Sequence, residues 1–111
     1  MTGIYSDDVL RLWRAVVLQA LLDAGNMGIA SMFPNYQPWK IKQIRDEARD
    51  WIRAADKDFT EVCENANLDP RIIRQFGMKV IRGDSTAKHN LLKWKYEFRQ
   101  NKRIGEKTDD S

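Results

Sequence analysis

Asp58-Phe59-Thr60-Glu61-Val62-Cys63-Glu64-Asn65-Ala66-Asn67-Leu68-Asp69-Pro70-Arg71-Ile72-Ile73-Arg74-Gln75-Phe76-Gly77-Met78-Lys79-Val80-Ile81-Arg82, residues 58–82, is the stretch whose reading decides the fold. Asp58 can accept from first-turn amides with Glu61 three positions on, an Asp variant of a capping box. Phe59, Val62, Cys63 and Ala66 recur at helical spacing, while Thr60, Glu61, Glu64 and Asn65 stay wet. Asn67 tolerates the left-handed conformation that closes a helix, and Leu68 plugs the corner. Asp69 is an N-cap, and Pro70 suits the first helical position because its missing amide would be unpaired there anyway. In the second helix Ile72, Ile73, Phe76 and Val80 form a docking side, opposite Arg71, Arg74, Gln75, Met78 and Arg82. The pattern is that of a helix-turn-helix with a three-residue corner.

Arg71, Arg74 and Gln75 are the side-chain types that read guanine and adenine edges in a major groove, with Lys79 and Arg82 placed for phosphates. The plainer alternative is a helical hairpin whose basic face is merely solvated. Charge bears on the choice. Residues 1–70 carry 8 Lys and Arg against 11 Asp and Glu, a balance of −3; residues 71–111 carry 11 against 5, a balance of +6. The excess begins at the second motif helix and continues through Lys88, Lys93, Lys95 and Arg99, a set suited to phosphate contacts. Such asymmetry is the sequence footprint of a polyanion-binding face, since each cation set against a phosphate releases condensed counterions. The expected partner is double-stranded DNA.

The chain's 111 residues, 42% hydrophobic and 32% charged, suit one ordinary folded domain. No signal peptide or long apolar run is visible, which predicts a cytoplasmic, nucleoid-associated protein that does not engage membranes. Cys63 has no second thiol for a disulfide or zinc site, and His89 has no Cys or acidic cluster in sequence around it. No phosphate loop, zincin motif or nucleophile elbow occurs. The reading is therefore not an enzyme, with no cofactor, metal or catalytic residue.

Upstream, Ile4 and Tyr5 precede Ser6, a natural N-cap followed by Asp7 and Asp8. A helix to about Ala24 follows, ended by Gly25-Asn26, with Val9, Leu12, Trp13, Val16, Val17, Ala20, Leu21 and Ala24 in an apolar stripe. Leu10, Leu18 and Leu22 widen it. A stripe this wide marks the central helix of a bundle, or one shared with a second copy in a homodimer. Arg11, Arg14 and Gln19 stay wet. Residues 25–39 are broken by Gly and Pro yet hold Met27, Ile29, Met32, Phe33, Tyr36 and Trp39. They read as a packed connection, or as a surface for RNA polymerase or another transcription factor. From Lys40 to Ala54 the helical period returns, with Ile41, Ile44, Ala48, Trp51 and Ile52 inward and Arg45, Glu47, Arg49 and Asp50 outward.

After Gly83-Asp84-Ser85, with Ser85 or Thr86 as a cap, Leu91, Trp94 and Phe98 fit a helix. Leu92, Trp94, Tyr96 and Phe98 also alternate as a strand would. Helix is favoured, with an RNA-binding alternative in which the interleaved aromatics stack bases. The organisation expected is an all-α bundle over residues 1–83, a basic aromatic extension over 84–104 and a disordered tail over 105–111.

A resemblance extends this reading. Glu47-Ala48-Arg49-Asp50-Trp51-Ile52, then Asp58-Phe59, Val62-Cys63, Ala66, Leu68-Asp69-Pro70 and Ile73, resemble small helical proteins of alphaproteobacteria and their phages. Among these the chain is similar to the DNA-binding N-terminal portion of gene transfer agent transcriptional activators. Leu12-Trp13-Arg14-Ala15-Val16-Val17-Leu18-Gln19-Ala20 and Asp23-Ala24 resemble their first helix, so the likeness spans residues 9–76. The matching positions are largely core and cap residues. The resemblance implies a Trp-repressor-like helix-turn-helix and a role in transcription. It does not reach the C-terminal third.

Overall fold

The computed structural model describes residues 7–27 and 37–110, with side chains described for 8–27 and 37–98. Ser6, the staple at Ile4 and Tyr5, and the connection residues Ile29, Met32, Phe33 and Tyr36 lie outside the described residues. Those described form helices only: α1 Asp7–Ala24, α2 Pro38–Ala54, α3 Lys57–Asn65, α4 Pro70–Ile81 and α5 Ser85–Asp110. The protein is all-α.

The helix ends follow from the residues at them. Asn26 (φ 58°), Asn67 (φ 59°) and Gly83 (φ 85°) adopt the left-handed conformation just beyond α1, α3 and α4. At each, the next amide reaches back to a carbonyl in the last turn: Met27 N to Leu22 O, Leu68 N to Cys63 O, and Asp84 N to Lys79 O, at 2.9 to 3.0 Å. These are Schellman closures, which satisfy carbonyls left over by the helix. Asp69 caps α4 as expected, its Oδ1 accepting from Arg71 N at 2.9 Å with Pro70 at the first position.

Three starts differ from the sequence reading. α2 begins at Pro38, two residues before Lys40, again with proline in the first turn. α3 begins at Lys57 because Asp56, not Asp58, is the cap: Asp56 Oδ1 accepts from Asp58 N at 3.1 Å and Phe59 N at 3.5 Å. The cause is Ala55, whose left-handed φ of 45° turns the chain so sharply that only two residues separate α2 from α3. Asp58 instead accepts from Trp51 Nε1 at 2.8 Å. α5 is capped by Asp84, whose Oδ1 accepts from Ala87 N at 2.9 Å, rather than by Ser85 or Thr86.

α1 is central and touches every other described helix. The buried core runs from Val17, Leu18, Leu21 and Leu22 of α1 through Ile52 of α2, Phe59, Val62 and Cys63 of α3, and Ile73 and Val80 of α4, to Ala87 and Leu91 of α5. Full burial of each large side chain contributes about 1.5 to 3 kcal/mol. Trp51 meets Phe59 edge-on at 4.9 Å and 71°, an aromatic contact that fixes α2 against α3. The tail resolves as helix: Ala87, Leu91, Trp94 and Phe98 share the inward stripe, and the strand-like alternation leaves Tyr96 outside. The helix continues to Asp110.

Three arginines do work that composition alone conceals. Arg14 of α1 donates Nε to Ala66 O, at the end of α3, at 2.9 Å. Arg49 of α2 donates Nε to Ala24 O, the end of α1, at 2.8 Å. Arg74 of α4 donates Nε and Nη2 to Arg53 O, in the last turn of α2, at 3.1 and 3.0 Å. Each guanidinium meets the negative end of another helix's dipole, so these bonds are charge-assisted. Arg14 and Arg49, read from sequence as wet, are partly buried because they span between helices.

Candidate nucleic-acid interface

α4 holds no acidic residue, and its inward side is set by Ile73, Gly77 and Val80. With 3.6 residues per turn the opposite side is Arg71, Gln75 and Arg82, all exposed. Arg71 is 89% exposed, its Nε 3.7 Å from Asp69 Oδ1. That loose pair leaves most of the guanidinium's donors facing solvent. Lys79 is exposed on one edge of the same face and forms no ion pair among the described residues, nor does Arg82.

Arg74 is also exposed, but the edge made by Nε and Nη2 is committed to Arg53 O. The Nη1/Nη2 edge remains available, so Arg74 can donate outward only around a fixed stem. Two positions move relative to the sequence reading. Ile72, placed on the docking side, is 61% exposed, and Met78, placed outward, packs partly against the core. The reason is Gly77. A Cβ there would lie 2.8 Å from Ile52 Cγ2 and 3.2 Å from Leu21 Cδ2, so α4 approaches α2 and α1 closest along the Gly77 line. That rotates the buried stripe away from Ile72 and toward Met78.

The corner between α3 and α4 comprises residues 66–69, one more than expected, because α3 ends at Asn65. Leu68 sits in it half-buried against the core. The phosphate-contacting set on α5 does not lie on one face. Lys88 and Lys95, seven residues apart, share a flank and are half-buried, whereas Lys93 falls on the other side and is exposed. The Arg99 side chain lies outside the described residues. The basic aromatic ladder is also divided: Trp94 and Phe98 pack inward, with Arg11 over the Phe98 ring at 5.3 Å, and Tyr96 stands alone outside.

Elsewhere Cys63, Asp23 and Asp46 are shifted by their surroundings. Burial, reinforced by the Asp69 and Glu64 charges, pushes the Cys63 thiol up to about 11, so its thiolate is disfavoured. Desolvation raises the Asp23 carboxyl against the opposing hydrogen bond from Gln19. The Lys42 ammonium, 2.9 Å away, holds Asp46 below the usual carboxylate range, with Arg45 assisting. Among the described residues no group of three or more His, Cys, Asp and Glu could hold a metal ion. No described helix is long and apolar enough to cross a membrane.

A second feature lies on the α1 stripe, read from sequence as the central helix of a bundle or as one shared with a second copy. Leu12 and Val16 of α1, expected in the core, are 63% and 41% exposed and line an open groove of about 730 Å³ with Ala48 and Trp51 of α2 and Val62 of α3. The signal was present in the α1 stripe, which is wider than a single contact face needs. No family model, curated protein or solved structure matches the chain.

Proposed function

We propose that the protein is a duplex-DNA-binding regulator of transcription in which α3 and α4 act as a helix-turn-helix and α4 enters the major groove. The observation that carries this reading is the outer face of α4, where Arg71, Gln75 and Arg82 project from a rigidly docked helix with no acid among its residues. Arg is suited to guanine O6 and N7, and Gln to adenine N6 and N7. Lys79 flanks them as a phosphate contact, and Lys88 is near enough in sequence to α4 to extend the positive field. Arg74 is a positioning residue first, and a base contact only through its remaining edge. The likeness to gene transfer agent activators noted in the sequence agrees with this assignment.

Fluorescence anisotropy against a mixed duplex pool tests it, followed by selection of the bound fragments. Affinity should fall steeply with salt, by about 0.9 in log K per log salt for each phosphate contact. Against a selected site, Arg71→Ala and Gln75→Ala should each lose about 1 to 3 kcal/mol of specific binding, whereas Lys79→Ala should lower the salt slope by about 1. Arg74→Ala should lose binding and stability together. Absence of duplex binding at low salt, or binding indifferent to Arg71 and Gln75, refutes the assignment.

A further inference from the structure

The groove between α1, α2 and α3 is apolar along its walls and acidic at its rim. Val16, Ala48 and Trp51 line it, and Asp23, Glu47 and Asp58 border it. Each rim carboxylate takes its hydrogen bond from a neutral donor: Asp23 from Gln19 Nε2 at 2.9 Å, Glu47 from Gln43 Nε2 at 3.1 Å, Asp58 from Trp51 Nε1 at 2.8 Å. None of the three is ion-paired among the described residues, although lysines and arginines are abundant and Asp46, on the same helix as Glu47, is doubly paired. Three uncompensated carboxylates around an apolar trough specify a cationic, amphipathic occupant.

The chain carries such an element. α5 docks on its own core through Ala87, Leu91, Trp94 and Phe98, and its outer side presents Leu92 and Tyr96, one turn apart, at 48% and 64% exposure. Lys93 flanks them on the exposed side and the half-buried Lys88 and Lys95 border them on the other, with Glu97 as the one acid among the described side chains of α5. α5 cannot turn this side into its own groove while its inner side is held by α1 and α4. We propose that the groove receives the outer face of α5 from a second copy of the chain, with Leu92 and Tyr96 seated in the trough and the lysines against the acidic rim. Docked reciprocally about a two-fold axis, the contact closes as a dimer. Groove-to-groove pairing is disfavoured, because it sets the unpaired carboxylates of each copy against those of the other. The proposal does not rest on the DNA-binding reading.

Sedimentation velocity of the full chain from about 1 to 500 µM tests it, with far-UV circular dichroism confirming that each variant is folded. A concentration-dependent dimer is expected, weakening as salt rises because the contact is charge-complementary. Val16→Lys in the groove and Tyr96→Ser on α5, both at exposed positions, should each raise the dimer dissociation constant tenfold or more. Arg71→Ala should leave association unchanged, which separates this contact from the DNA face. A monomer throughout the range overturns the proposal. So does a dimer that ignores either variant: indifference to Val16→Lys excludes the groove, and indifference to Tyr96→Ser excludes α5 as its occupant.

Discussion

Replacing Gly77 with alanine sets two opposed effects against each other, and the structure decides between them. Alanine is the better helix former by about 0.8 to 1.0 kcal/mol, so by propensity alone Gly77→Ala stabilises α4. The new methyl, however, lies 2.8 Å from Ile52 Cγ2, 3.2 Å from Leu21 Cδ2 and 3.4 Å from Ile52 Cδ1. Neither neighbour can swing aside, since Ile52 is 0% and Leu21 1% exposed. Restoring ordinary carbon contact at about 3.5 Å requires a shift of roughly 0.7 Å between α4 and α2. That shift also lengthens the two bonds from Arg74 to Arg53 O. Overpacking of this kind costs about 1 to 3 kcal/mol, and the charge-assisted bonds add to it. The net expectation is a loss of about 1 to 2 kcal/mol, a fall in melting temperature of roughly 4 to 12 °C for a domain of this size. Urea denaturation followed by circular dichroism measures it. A cycle with Ile52→Ala should show a coupling of at least about 0.5 kcal/mol, because the truncated neighbour makes room for the methyl. Equal or greater stability of Gly77→Ala, or no coupling, refutes the close-approach account of α4.

Three further outcomes follow from single residues. Asp23→Asn should stabilise the protein at pH 7: burial raises the folded-state pKa, so the stability the carboxyl confers is present below the unfolded value of 3.8 and lost as pH rises through the folded one. The advantage of the variant should vanish in acid titrations of unfolding. Cys63 should resist a thiol reagent at pH 8 until the protein unfolds; with its pKa moved from 9.0 to about 11, stability should be fully present below pH 9 and decline toward pH 11. Ala55→Gly should gain about 0.5 to 1 kcal/mol in thermal melts by relieving the left-handed conformation at φ 45°, after allowing for glycine's larger unfolded-state entropy.

Local chemistry was legible where a residue acts on its own neighbours. Asn67 closing α3, Asp69-Pro70 opening α4 and Gly83 ending it all depend on contacts within a few positions, and the helical period at Leu91, Trp94 and Phe98 outweighed the competing alternation. Ile72 was misplaced because two adjacent apolar residues at the edge of a stripe have equal claims from periodicity, and the choice between them was made by Gly77 against Ile52. Asp58 looked like a cap because the turn at Ala55 has no sequence signature; an alanine seldom adopts it. The arginine bonds to Ala66, Ala24 and Arg53 join residues 52, 25 and 21 positions apart, beyond any local rule. The groove was foreshadowed by the width of the α1 stripe, but which side of it stays uncovered depends on where α2 lies.

Taken in order, those three arginine bonds form a circuit. α4 grips α2, α2 grips α1 and α1 grips α3, while the corner at residues 66–69 returns the chain to α4. Each of α1 to α4 is therefore held to a neighbour by a polar contact as well as by apolar packing. The outer face of α4 and the groove are thus joined through one helix, α2, which supplies both the Arg53 carbonyl held by Arg74 and the Ala48 and Trp51 wall.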